Sequence, residues 1–185
     1  LIWGRDESFN LYPYREIIML RITHSIEHPE LLATWLESRV RQALTPDVSS
    51  YARGRLRVWL RTEPTLTTPT RHLSGLPCSQ RIWARLEELI DWHFDYCLIT
   101  YSGDIDAVGI APHRDASYAS SIAYGLNITN TARFSYWTDQ HAKPGDLPNE
   151  IIKLEPGMVT TFDCKHLHAA DPTTQRWSMN FWRAK

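Results

Sequence analysis

The fold is legible first in residues 157–183, GMVTTFDCKHLHAADPTTQRWSMNFWR. GMVTTFD and RWSMNFW are short runs rich in β-branched and aromatic residues, and both read as strands. Side chains alternate across a strand, so Arg176, Ser178, Asn180 and Trp182 share one face and Trp177, Met179 and Phe181 the other. The second set is apolar and suits a core. The first carries a guanidinium beside a hydroxyl, which is costly to bury unless an anion meets it. A guanidinium grips a carboxylate through two parallel hydrogen bonds, so a carboxylate ligand fits that need.

Upstream, the same texture extends back to Cys97. CLITY, AVGIAPHRD, SSIAYGLNIT, ARFSYW and IIKLE alternate with turn clusters, among them Asp139–Asn149 and Glu155-Pro156-Gly157. About seven strands are expected over 97–185. The N-terminal half reads differently. REIIMLRI (15–22) looks like a strand, and Pro29 opens a helical pattern over 28–44 through Leu31, Leu32, Trp35, Leu36, Val40 and Leu44. TPDVSS breaks it. RGRLRVWLR (53–61) alternates as a half-buried strand, with Leu56, Val58 and Leu60 on one face and Arg53, Arg55, Arg57, Trp59 and Arg61 on the other. The arginine face is expected to be solvated, with contact to an anionic substrate as the sharper reading. Residues 62–78, rich in Thr and Pro, read as a loop. A second helix is expected over 79–96, capped by Ser79 and striped by Ile82, Trp83, Leu86, Leu89, Ile90 and Phe94. Helices ahead of closely spaced strands predict an α+β chain, a sandwich or barrel with helices outside.

Composition sets limits. The 185 residues suit one domain, with 1–96 supporting the strand-rich 97–185. The 20 Lys and Arg against 21 Asp and Glu leave a net charge of -1, which excludes a strongly basic nucleic-acid or membrane-surface protein. No apolar stretch is long enough to cross a bilayer, and no segment reads as a secretory signal. A start at Leu1 rather than Met is expected from trimming or from an artificial boundary, and whether Leu1 is a native start stays open. Cys78, Cys97 and Cys164 form no CxxC pair, so a reduced cytoplasmic setting is expected.

The chemistry concentrates at His113-Arg114-Asp115. On a strand, i and i+2 project together, so imidazole and carboxylate would enter one cavity. Alone, such a pair is common and most often an ordinary hydrogen-bonded turn. A distal histidine, His166 or His168, would complete two imidazoles and one carboxylate, the donor set of non-haem Fe(II) oxygenases. Structural zinc, the competing metal, favours closed Cys/His sites. His24, His28, His72, His93 and His141 lack such company and read as surface or satisfied-core residues. The cysteines read as small buried hydrophobes.

On His113-x-Asp115, a distal histidine and Arg176-x-Ser178, in that order, residues 101–183 resemble the Fe(II)/2-oxoglutarate-dependent dioxygenase superfamily. LEPGMVTTFD also resembles the family's strand ahead of the distal histidine. The resemblance implies a double-stranded β-helix, or jelly-roll, core with the N-terminal helices packed outside. It implies Fe(II) on His113, Asp115 and His168, and 2-oxoglutarate held by Arg176 and Ser178, with a further hydrogen bond from Tyr101. With O2, a C–H bond of an organic substrate would be hydroxylated and succinate and CO2 released. Asp115 is the ligand that the family's halogenases lack, which points to hydroxylation. The family more often leaves about ten residues between distal histidine and arginine, which fits His166. The proline four residues after the ligand fits His168, through Pro172, and His168 is favoured. The substrate stays open among a small molecule, a peptide side chain and a nucleic-acid base, the last as in TET/JBP-like methylpyrimidine oxidation. The alkylation-repair branch usually has a second arginine where this chain has Trp182. A non-catalytic jelly-roll binding module and a zinc-dependent cupin-like enzyme are the rivals, and the sequence is silent on oligomeric state.

Overall fold

A computed structural model describes residues 19–62, 75–117 and 119–185. Its strands are β1 (Arg21–Ser25), β2 (Thr45–Pro46), β3 (Leu56–Thr62), β4 (Gly75–Cys78), β5 (Tyr96–Tyr101), β6 (Val108–His113), β7 (Ala119–Asn127), β8 (Ala132–Tyr136), β9 (Glu150–Leu154), β10 (Met158–Asp163), β11 (His168–Thr173) and β12 (Trp177–Ala184). Helix α1 spans Pro29–Trp35 and α2 Gln80–Ile90. The large sheet runs β1-β10-β7-β12-β5-β3-β2, with β4 also on β3, and the small one runs β6-β11-β8-β9. From β5 onward the chain shuttles between the two layers. All pairings are antiparallel except β3 with β4. This is the expected double-stranded β-helix with helices outside.

Strand alternation separates two interiors. Cys97, Ile99 and Tyr101 of β5, Leu126 of β7, Val159 of β10 and Met179 and Phe181 of β12 form one buried cluster with Val58 and Leu60 of β3. Leu36, Val40, Leu86 and Ile90 close that cluster from the helical side. Each such large apolar side chain contributes about 1.5–3 kcal/mol by leaving water. The opposite face of the large sheet looks toward the small sheet, and there the paired positions are Arg57–Thr100–Ser178–Asn127 and Trp59–Leu98–Asn180–Gly125. This second interior holds the candidate site.

Several local expectations shift. The helix read over 28–44 is α-helical only to Trp35, then widens over Leu36–Val40 and tightens over Arg41–Ala43. The helix read to residue 96 ends at Ile90, because Asp91 turns left-handed at φ 54° and the Trp92 N–H closes back on the Glu87 carbonyl. Trp92 and Phe94 still pack inward, on Tyr124 and Phe181, so the apolar pattern outlasts the helix. The loop read over 62–78 gives its last four residues to β4. The strand read at 15–22 lies at Arg21–Ser25. Residues 15–18, 63–74 with His72, and the Arg61 side chain fall outside the described residues. Eight strands rather than seven follow residue 95, since β11 pairs on both sides despite Pro172.

Candidate metal centre

His113 ends β6 and His168 begins β11, and they are Cα partners in the small sheet. Gly109, farther down β6, allows the strands their closest approach: a Cβ there would lie 2.5 Å from the Ala170 carbonyl oxygen. The two imidazole centroids are 4.3 Å apart. Each ring donates its Nδ1 hydrogen to a backbone carbonyl, His113 to Ala111 at 3.0 Å and His168 to His166 at 2.9 Å. A carbonyl only accepts, so Nδ1 carries the hydrogen and Nε2 keeps its lone pair in the neutral ring. Asp115 Oδ1 sits 3.5 Å from His113 Nε2 and 3.7 Å from His168 Nε2. All three donor atoms lie within 4.8 Å of one another.

Neighbours hold this arrangement. The Asp115 N–H donates to the Cys164 carbonyl at 2.9 Å, and Lys165 Nζ donates to the Ala116 carbonyl at 2.5 Å. Asp115 Oδ2 accepts from the Trp182 indole at 2.8 Å. Arg114 points the other way and binds the Gln140 and Ala142 carbonyls. Burial alone would raise the Asp115 pKa, but His113, His168 and the Trp182 N–H outweigh it and hold the carboxyl at about 2. Burial pushes His168 down to about 4, against the opposing pull of Asp115. The set is therefore an ionised carboxylate with at least one firmly neutral imidazole, as a divalent cation requires.

Just ahead of β12, Arg176 Nε donates to Asn127 Oδ1 at 2.7 Å. Asn127 is pinned in turn, its Nδ2 donating to the Leu154 and Asn130 carbonyls. Among the described residues no carboxylate pairs with Arg176. Burial, and then the nearby Arg55 charge, lower its pKa to about 10. Ser178 Oγ lies 2.7 Å from Thr100 Oγ1, so two buried hydroxyls accompany the guanidinium.

The cavity between the sheets is lined by Tyr51, Arg55, Arg57, Trp59, Leu98, Phe134, Phe162, Asn180 and Trp182 around His113, Asp115 and His168. Tyr51 stacks on His113 with centroids 4.0 Å apart and planes 12° from parallel. Arg55 and Arg57 are not on a solvated face. They turn inward, and both meet Asp47, whose side chain is fully buried. The carboxylate that makes their burial tolerable lies outside the strand, where the alternation pattern gave no sign of it.

The sequence-derived candidates thus separate. His113, Asp115 and His168 converge, and Arg176 and Ser178 lie on the same sheet face. His166 does not join them: its ring stacks on Tyr136, and its Nδ1 faces the Trp137 carbonyl at 3.0 Å. Its own carbonyl orients His168. Tyr101 is a correction. Its ring packs with Trp177 on the helix side, beneath the Arg41 guanidinium, and its hydroxyl donates to Asp104. Strand parity gives the cavity side of β5 to Thr100 instead. Sequence reasoning also missed Asn127, Tyr51 and the inward role of Arg57. His24, His28 and His93 face Leu89, Glu30 and Glu87 and stand apart from the cluster. Cys164 is buried, which raises its thiol pKa and keeps it protonated.

No sequence-family profile matches the chain, and neither does any curated protein. Solved structures do match. A prolyl-4-hydroxylase from Pseudomonas putida superposes with a TM-score of 0.55 at 12% identity, over 91% of this chain and 94% of that one. The non-haem alpha-ketoglutarate-dependent epimerase SnoN, from nogalamycin biosynthesis, gives 0.55 at 16% identity, over 89% of this chain and 76% of that one. The Escherichia coli ribosomal oxygenase YcfD gives 0.45 at 18% identity; the match spans only 35% of its length and carries no weight here. Among the described residues no helix is long and apolar enough to cross a membrane. At these TM-scores and coverages the chain shares its fold, a double-stranded β-helix, with the Pseudomonas putida hydroxylase and SnoN.

Proposed function

We propose that the protein is an Fe(II)- and 2-oxoglutarate-dependent dioxygenase that hydroxylates a C–H bond of an organic substrate. One observation carries the reading. A half-buried guanidinium with no carboxylate partner among the described residues shares an interior with two imidazole Nε2 atoms and one ionised carboxylate oxygen. The first asks for an anion and the second for a divalent cation, and a chelating keto diacid answers both.

The residues present fit these groups. His113, Asp115 and His168 would hold the metal, and Arg176 with Ser178 and Thr100 would hold the far carboxylate of the diacid. When bound, the ferrous ion and 2-oxoglutarate supply the oxidising power with O2, releasing succinate and CO2. The chain's part is to bind and to orient. The carbonyls of Ala111 and His166 fix both histidine tautomers, and Asn127 aims the guanidinium. Phe134, Phe162 and Trp59 give the cavity its apolar lining. Among the described side chains of 53–60, Arg55 and Arg57 are taken up by Asp47 and Arg53 is the one exposed arginine, which favours a small-molecule or peptide substrate over a nucleic-acid base.

The test is substrate-free succinate formation from 2-oxoglutarate with added Fe(II) under air. Activity that falls at least 100-fold in Asp115→Ala and with chelator is expected. Succinate release that ignores iron, or that survives in D115A, would falsify the assignment.

A further inference from the structure

We propose that Trp182 is a positioning residue for Asp115, fixing which carboxylate oxygen is presented to the metal. The inference rests on the metal reading above. A free carboxylate has two equivalent oxygens and can rotate, or can chelate with both. Here they are made different. Oδ2 accepts the Trp182 indole hydrogen at 2.8 Å, while Oδ1 faces both histidine Nε2 atoms at 3.5 and 3.7 Å. An indole nitrogen donates only, so the bond cannot invert. The Asp115 main chain is anchored by its N–H on the Cys164 carbonyl and by Lys165 Nζ on the Asp115 carbonyl at 3.5 Å, neither of which chooses between the carboxylate oxygens, and the Cys164 thiol is a further neighbour of the carboxylate.

Trp182 is itself well held. It lies on the cavity face of β12, opposite Tyr96 on one side and Ala123 on the other. Its ring packs 6.0 Å from Trp59 in a cluster with Tyr96 and Leu98. The large sheet therefore reaches across the interior, through one hydrogen bond, to set a side chain that belongs to the loop after the small sheet's β6. Arg176 immediately precedes β12 and Trp182 lies on the cavity face of that strand, so a single element would register the diacid end and the carboxylate ligand together. Partners that orient metal ligands typically change metal affinity 10–100-fold when removed.

The experiment titrates Co(II) into the full chain, reading the visible d–d bands and the dissociation constant, alongside urea unfolding of the metal-free protein. Wild type should bind one Co(II), and D115A should bind it much more weakly. Trp182→Phe keeps most of the ring packing but no donor. It should weaken Co(II) at least 10-fold and alter the d–d spectrum. Trp182→His, which restores a ring N–H donor, should recover part of the affinity. W182F binding within 2-fold of wild type with an unchanged spectrum overturns the inference while leaving the metal reading intact. Wild type failing to bind Co(II) overturns both. Should W182F not fold, wild type with 15N-labelled indoles decides. One indole N–H signal should shift on adding one equivalent of Zn(II), and that response should vanish in D115A. No shifted indole overturns the proposal.

Discussion

Replacing Asp47 with asparagine removes one negative charge and almost no volume, at a point where the fold has concentrated two positive ones. The Asp47 side chain has no exposed surface. Its Oδ2 accepts from Arg55 Nε at 2.9 Å and Nη2 at 2.6 Å, and its Oδ1 accepts from the Ser49 N–H at 2.9 Å and faces Arg57 Nη1 at 3.4 Å. The arginine side chains are only 9% and 15% exposed, so water cannot replace the lost charge. Breaking a buried pair by removing one partner costs about 3–5 kcal/mol, because the surviving charge stays uncompensated. For a chain of this size, roughly 2–4 °C per kcal/mol gives a Tm loss of about 6–20 °C. Urea unfolding of the metal-free protein at pH 7 measures it directly. A second variant sharpens the test. D47N combined with Arg55→Met should be more stable than D47N alone, since the orphaned guanidinium is gone. A D47N cost below about 1 kcal/mol would mean that the cluster behaves like an exposed ion pair. The reasoning about the arginine strand would then fail.

Acid should destabilise the metal-free protein in two stages. Folded His168 titrates at about 4 against 6.5 unfolded, and folded Asp115 at about 2 against 3.8. In both cases the unfolded chain takes up protons first, so stability is full above about pH 6.5, declines toward pH 4 as unfolded His168 charges, and declines again toward pH 2. The His168 share is on the order of 3 kcal/mol; thermal melts of wild type and His168→Asn with parallel losses between pH 7 and 4 would refute it. Gly109→Ala places a Cβ 2.5 Å from the Ala170 oxygen and 2.8 Å from the Pro172 nitrogen. It should cost about 1–3 kcal/mol in urea melts and spread the histidine pair, weakening Co(II) binding. Arg176→Gln should keep the fold yet weaken 2-oxoglutarate at least about 100-fold, since charge-assisted bonds to a buried carboxylate are lost. Isothermal titration of the Co(II) form reads this, and unchanged affinity would move the diacid elsewhere in the cavity.

The parts legible in sequence were those with one face buried and one polar. β12 is the clearest case: Met179 and Phe181 against Ser178 and Asn180 gave the strand, its orientation and the Arg176 face. His113 and Asp115 were visible as a His-x-Asp pair expected on one strand face, although β6 ends at His113 and Asp115 lies just beyond it. The failures have physical causes. All six residues of β5 are buried, so CLITY shows no alternation, and Tyr101 could not be told from Thr100. β11 begins with a metal-type histidine, carries Pro172 and has an irregular register, none of which resembles a strand in isolation. Asp91 takes a left-handed turn without being glycine, which hid the end of α2. Arg55 and Arg57 looked solvated because their counter-charge, Asp47, is eight residues before the first of them.

β12 acts as a ruler. Its same-side residues are graduations about 7 Å apart, running from the guanidinium end of the interior to the indole that touches Asp115. Substitutions change what stands at one mark. Inserting or deleting a single residue within the strand would turn every later mark to the helical side and exchange Asn180 and Trp182 for Met179 and Phe181. Length variation is tolerable only ahead of the first mark, in the turn where Gln175 stands at φ 51°. Natural or engineered relatives should therefore vary freely in the spacing from His168 to Arg176 and hardly at all in the spacing from Arg176 to Trp182.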